Sequence, residues 1–195
     1  MQQLIKNEFK DHIKVFDLAM KSIIPSVEIA ANICIDCINN GGKLLLIGNG
    51  GSAADAQHIA AELVGRYKVD RKAISAIALT TDSSIITAVS NDFGFSNVFD
   101  RQIEALANTS DVIIGISTSG NSENIINGFK VATKIGCKTI LLGGHRGGQL
   151  KEISNASIIV PSIDTARIQE IHIFIGHTLC NLIEESQLNL KPPQL

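Results

Sequence analysis

Apolar residues fall into two rhythms along the chain. Over residues 3–23 they recur at helical spacing, with Leu4, Phe9, Ile13, Phe16 and Leu18 marking one amphipathic segment. Pro25 ends that helix or opens the next, because proline suits a first helical turn and not an interior. A second helix is expected to run to about Cys37 and to stop at Asn39-Asn40-Gly41-Gly42. From there the rhythm changes. Short β-prone runs occupy 43–48, 74–79, 112–117, 139–143 and 157–160. Helical patterns lie between them at about 52–66, 83–90, 97–107, 122–135 and 147–153, and a long final helix covers about 165–186. Runs such as "VIIGIS" and "TILLG" are apolar at successive positions, so both faces of those strands must be covered. Strands alternating with helices predict βαβ units, and hence an α/β domain with a parallel sheet between helical layers. Residues 1–40 form its N-terminal helices, and 188–195, with two adjacent prolines, are expected to be an irregular tail.

Composition narrows the function. A chain of 195 residues suits one domain, and 45% hydrophobic content with a mean hydropathy of +0.21 supplies a large core. A net charge of -2 gives no bulk attraction to nucleic acid or an anionic membrane. Aromatics are 4% with no Trp, which argues against a base-stacking surface. No apolar run approaches the ~18 residues of a membrane span, and the charged N-terminus lacks a signal-peptide pattern. Cys34, Cys37, Cys137 and Cys180 are too dispersed for a disulfide framework and fit a reducing cytoplasm. The Cys34–Cys37 C-x-x-C lies in an apolar helical pattern, where buried helix thiols are the expectation.

In a parallel sheet, ligands sit beyond the carboxyl ends of the strands, so the following loops are where chemistry is sought. The first such loop opens "GNGGSAADAQH". Its glycines allow a tight turn and close approach of a ligand to backbone N–H groups, and Ser52 can cap the next helix or donate to a ligand oxygen. The stretch from Gly48 to Ala53 also reads G-x-G-x-x-A, the loose dinucleotide fingerprint. That reading needs an acidic residue at the end of the second strand, and Asp70 comes before it while Asp82 lies past Thr80-Thr81. The loop after the third strand is "ISTSGNSENI", where Ser117, Thr118, Ser119 and Ser122 crowd a turn that opens a helix. Hydroxyls at a helix N-terminus suit a phosphate, and the absence of a Walker lysine points to a monophosphate ester. His145 and Arg146, in "GGHRGG", are loop residues expected to touch solvent or a neighbouring subunit.

Two helices carry candidate acid–base and metal-ligating groups. His58 and Glu62 are four apart on the helix after the glycine loop and so share a face. On the last helix Gln169 and His177 are about 80° apart, whereas His172 is about 140° from His177, so one histidine is expected to serve a site and the other not, unless the helix is shared between subunits. If His58, Glu62, Gln169 and His177 converge, their N, O, O and N donors suit Zn²⁺ or a similar divalent ion.

Together "GNGGSAADAQHIAAELVGRY", "NDFGF", "GISTSGNSENI" and "RIQEIHIFIGH" resemble the phosphoheptose isomerases, which are sugar-isomerase (SIS) domain proteins. The resemblance spans nearly the whole chain. It implies a three-layer α/β/α fold with a five-stranded parallel sheet. It also implies conversion of sedoheptulose 7-phosphate, a phosphorylated seven-carbon sugar, for bacterial surface polysaccharide, in a cytoplasmic homotetramer with shared active sites. It further implies that Asn49, Gly50, Gly51 and Ser52 line the sugar and that Ser117, Thr118, Ser119 and Ser122 hold the phosphate. Asn91 and Asp92 would contact hydroxyls with help from Arg66. Glu62 and His177 would be catalytic, and His58, Glu62, Gln169 and His177 would hold a divalent metal, Zn²⁺ by donor type. His172 would be structural. The competing reading is a non-catalytic SIS-domain binding protein, either replication-initiator-binding or sugar-phosphate-sensing. Such a protein can lose the catalytic groups, whereas this chain retains both Glu62 and His177.

Overall fold

The computed structural model describes residues 1–189. Five strands form one all-parallel sheet in the order β2-β1-β3-β4-β5. They are β1 (Leu44–Gly48), β2 (Ala76–Ala78), β3 (Val112–Ser117), β4 (Lys138–Gly143) and β5 (Ala156–Ile159). Each strand run read from the sequence is present, with ends that agree to within two residues. The eight helices among the described residues are α1 (Gln2–Ser22), α2 (Ile24–Asn39), α3 (Gly51–Val64), α4 (Ser83–Phe93), α5 (Asp100–Leu106), α6 (Glu123–Ile135), α7 (Gly148–Ile153) and α8 (Thr165–Asn189).

Side chains alternate across the strands and build two cores. Leu44, Leu46, Ile114 and Ile116 face a layer made by α1, α2, α3 and α8. Leu45, Ile47 and Ile113 face the opposite layer, with Phe99, Ile103, Ile125 and Phe129 from α5, α6 and the residue before α5. Cys34, Cys37, Cys137 and Cys180 are buried free thiols, as the helical context of the C-x-x-C predicted. Burial pushes the Cys37 thiol up to about 12.

Local chemistry explains most boundaries. Pro25 sits in the first turn of α2. Gly94, at φ 86°, ends α4 three residues later than its apolar pattern suggested, and a 3-10 turn (Phe95–Asn97) takes up the start of the expected 97–107 helix. Asp82 accepts from the Ile85 N–H and caps α4 at 2.9 Å, so the nearest acidic candidate for a ribose is committed to helix initiation. The last helix is longer than its pattern, because nothing between Ser186 and Asn189 breaks it. Gln187 reaches Asn39 at 2.9 Å and fastens that end to α2. Positions 188 and 189 are therefore helical, and the rest of the expected tail, 190–195, lies outside the described residues.

The amphipathic stripe of α1 is not spent on the core. Leu4, Phe9, Ile13 and Leu18 are exposed in the isolated chain. No single helix among the described residues is long and apolar enough to cross a membrane.

His172 is fully buried on α8, and its Nε2–H donates to the Gly143 carbonyl at 3.0 Å while Nδ1 has no partner among the described residues. Burial outweighs that hydrogen bond and lowers its pKa to about 4. The fold thus holds the neutral ring, while the unfolded chain protonates near 6.5. Its contribution is intact above pH 6.5 and is lost as pH falls to about 4, amounting to roughly 3 kcal/mol. Urea unfolding across that window should show this loss, and His172→Gln should flatten it.

Candidate active site

The strand order reverses between β1 and β3. From β1 the chain steps outward to β2, then crosses back to β3 on the other side of β1. The helices after these neighbouring strands, α3 and α6, lie on opposite faces of the sheet and leave a crevice at the strand ends. The glycine loop and the Ser/Thr turn, found from sequence as separate loops, are the two walls of this crevice. A reciprocal amide pair joins them. Asn49 Nδ2 donates to Asn124 Oδ1 at 2.9 Å, and Asn124 Nδ2 donates to Asn49 Oδ1 at 2.8 Å. The resemblance named Asn49 but not its partner, Asn124, a buried residue at the second position of α6.

Gly50 adopts φ 56° at the start of α3, which is why a glycine is needed there. Ser52 is buried and makes no capping hydrogen bond, so of the two roles read for it the cap is not the one it plays. The Gln169 amide lies against Gly51. A Cβ there would stand 2.7 Å from Gln169 Nε2. In the opposite wall Ser117 and Ser122 place their Oγ atoms 3.1 Å apart, and the Gly120 N–H donates to Ser117 Oγ. No side chain caps the start of α6, so its first N–H groups remain available to an anion. Thr118 is half-buried, and Ser119 is exposed, its Oγ accepting from the Asn121 N–H. Ser119 borders a cleft of about 780 Å³ shared with Lys14, His145, Arg146 and Arg167, so the exposed "GGHRGG" loop does reach solvent as expected.

His58, Glu62 and His177 come together. His58 Nε2 is 3.2 Å from Glu62 Oε1 and 3.4 Å from His177 Nε2, and one donor atom from each of the three lies within 4.8 Å of the others. Four tetrahedral ligands at about 2.1 Å from Zn²⁺ are separated by about 3.4 Å. The two measured separations match, so this N, N, O set fits a divalent cation. Gln169 is at the glycine loop, and His172 is committed to the Gly143 carbonyl, so one histidine of α8 joins the cluster and the other does not, as the helical angles required. Arg66, Asn91 and Asp92 are exposed. Asn91 donates to Asp92, and no hydrogen bond among the described residues ties any of the three to the cluster.

Three neighbours of the cluster were not legible in the sequence. The chain's single tyrosine, Tyr67, stacks on the His177 ring with centroids 5.7 Å apart. Asp55, one turn before His58, has a buried Oδ2 without a partner, and burial raises its pKa against the lowering pull of His58. Gly176 is where α8 meets α3, since a Cβ there would stand 2.6 Å from Ile59 Cδ1. Ile59 and Gly176 adjoin His58 and His177, so this contact sets how close the imidazoles come.

The comparisons with known proteins agree with this geometry. Residues 9–144 match the family model described as the SIS domain. The chain is 52% identical over 184 residues to the phosphoheptose isomerase of Aliarcobacter butzleri, covering 94% of this chain and 97% of that protein. It is 53% identical over 186 residues to that of Nitratiruptor sp., covering 95% and 100%. Among solved structures, phosphoheptose isomerase GmhA from Neisseria gonorrhoeae superposes with a TM-score of 0.90 at 41% identity, covering 94% of this chain and 98% of the other. A phosphoheptose isomerase from Francisella tularensis gives 0.91 at 38%, with the same coverage. The fold is thus that of a SIS domain. Within that class, the chain belongs to the phosphoheptose isomerase family.

Gly176→Ala tests the helix contact. Ile59 is buried and has little room to turn away, so overpacking should cost about 1–3 kcal/mol in urea unfolding. An unchanged unfolding midpoint would show that the two helices separate freely.

Proposed function

We propose that this protein isomerises sedoheptulose 7-phosphate to D-glycero-D-manno-heptose 7-phosphate, for heptose destined for bacterial surface polysaccharide. The observation that carries this reading is the His58–Glu62–His177 cluster formed between α3 and α8, in a chain about half identical to phosphoheptose isomerases.

The reaction moves hydrogen between C1 and C2. Glu62 takes a proton from C1 of the ketose, and the C1–H electron pair becomes the C1–C2 double bond of an enediol. The C2 carbonyl oxygen takes a proton from His177. In the second half His177 recovers a proton from the C1 hydroxyl, the C1 carbonyl forms, and Glu62 returns its proton to C2. Glu62 suits the part because Oε1 faces His58 while Oε2 has no hydrogen-bond partner among the described residues. A divalent cation, Zn²⁺ by donor type, with His58, Glu62, His177 and Gln169 as its ligands, would supply Lewis-acid polarisation of the sugar oxygens.

The substrate lies across the crevice. Asn49, Gly50, Gly51 and Ser52 line the sugar. Ser117, Thr118, Ser119 and Ser122, with the open N-terminus of α6, take the phosphate. Arg66, Asn91 and Asp92 serve sugar hydroxyls in a site shared between copies. A homotetramer is supported by the exposed apolar stripe of α1 and by an apolar groove of about 620 Å³ that α1, α2 and α8 line with Phe16, Met20, Val27, Phe174 and Leu182. The reaction is placed in the cytoplasm, consistent with four free thiols.

The decisive experiment is NMR of sedoheptulose 7-phosphate incubated with the purified protein, with and without a chelator. Aldose formed only before chelation is expected. No aldose under any metal condition would favour a sugar-phosphate-binding protein. Glu62→Gln should lower kcat on the order of 10²–10⁴ without unfolding. Ser119→Ala should chiefly raise KM for the phosphorylated sugar, and an equal loss with a non-phosphorylated analogue would remove the phosphate role.

A further inference from the structure

The turn between α3 and β2 holds an ion pair that is almost wholly buried, with Arg71 and Glu184 side chains 2% and 3% exposed. Arg71 faces two ways. Its Nε donates to Glu184 Oε2 at 2.8 Å. Its two terminal nitrogens donate to the Leu63 and Glu62 carbonyls of the last turn of α3 at 2.9 and 3.0 Å, the first of which also accepts the Ile74 N–H. Glu184 in turn accepts the backbone N–H groups of Tyr67, Lys68 and Val69 at 3.1, 2.8 and 3.2 Å. Burial alone would raise the Glu184 carboxyl, but these three donors and Arg71 outweigh it and hold it below its usual range. Seven residues separate His177 from Glu184, two turns along nearly the same line of α8.

We infer that Arg71 and Glu184 act as a positioning pair, which fastens the end of α3 to α8 and holds the Tyr67 ring against His177. The pair spans the two helices whose side chains make the cluster, with His58 and Glu62 on one and His177 on the other. It also fixes the backbone of Tyr67, whose ring lies 28° from parallel with the His177 imidazole. A histidine side chain turns freely about its last bond unless something packs on its face. The Tyr67 ring limits that rotation and keeps Nε2 directed at His58. Arg71, Glu184 and Tyr67 thus set the donor geometry without touching a substrate.

This inference rests on the cluster being the isomerase site. Its test uses two readouts on the full chain, kinetics with sedoheptulose 7-phosphate and Zn²⁺ affinity by competition with a chromogenic chelator. Glu184→Gln should lower kcat about tenfold or more with KM within about twofold, and should weaken Zn²⁺ about tenfold, the lower end for lost orienting partners. Tyr67→Leu should move both in the same direction, and Tyr67→Phe, which keeps the ring, should restore both. The Glu184→Gln and Tyr67→Leu effects should fall short of additive when combined, because they share one route to His177. Wild-type kcat and Zn²⁺ affinity in folded Glu184→Gln and Tyr67→Leu would overturn the inference. If Glu184→Gln does not fold, Tyr67→Leu decides alone, since it leaves the ion pair in place. If the wild-type protein forms no aldose, the proposed reaction fails while the Zn²⁺ arm still judges the pair. If it binds no Zn²⁺, the kinetic arm judges it.

Discussion

The His–Glu–His cluster depends on two helices, separated by about half the chain, lying close enough for their side chains to meet. The contact that allows this is Gly176 of α8 against Ile59 of α3. Helix separation is set by the side chains at the crossing, so a glycine at that point brings the axes together. With the backbones close, His58 and His177 meet Nε2 to Nε2 at 3.4 Å. The ends of the same pair are held by other means. Gln169 lies on Gly51 at the crevice end, and the Arg71–Glu184 pair closes the far end. A cluster half open to solvent is in this way supported by the buried Gly176–Ile59 contact and the buried Arg71–Glu184 pair.

The sheet supplies the second constraint. Because every strand is parallel, all ligand-capable loops leave from one edge, and the reversal of strand order between β1 and β3 opens that edge at one place. Asn49 and Asn124 then bind the two walls to each other, so that the glycine loop and the Ser/Thr turn keep a fixed separation. Buried polar pairs of this kind are costly to leave half-made and therefore specify one arrangement. Lys43 and Asp111 do the same at the opposite edge of the sheet, where the Asp111 carboxylate also accepts the Lys43 and Asn108 N–H groups.

The α1 stripe has a different meaning. A helix that leaves Leu4, Phe9, Ile13 and Leu18 exposed has not found its full burial within one chain. The same surface carries the apolar groove along α2 and α8, and α8 also presents His177. The apolar groove and the His–Glu–His cluster therefore share one helix, which connects the proposed tetramer to the proposed site.

Much of this was legible along the chain. The doubly apolar runs specified buried parallel strands, Pro25 marked the boundary between the first two helices, and the i, i+4 spacing put His58 beside Glu62, because all of these are rules about neighbours in sequence. The angles on α8 separated His177 from His172 for the same reason. What sequence spacing could not decide was which surfaces of distant elements touch. Tyr67 on His177, Asn49 with Asn124, Gly176 under Ile59 and Arg71 with Glu184 each join residues from different elements. Glu184 lies in the polar-looking run "NLIEES", yet it is buried because the turn after α3 brings it three N–H donors and a guanidinium. Periodicity within an element is a local property of the backbone. Convergence between elements is decided by packing, which only the folded chain determines.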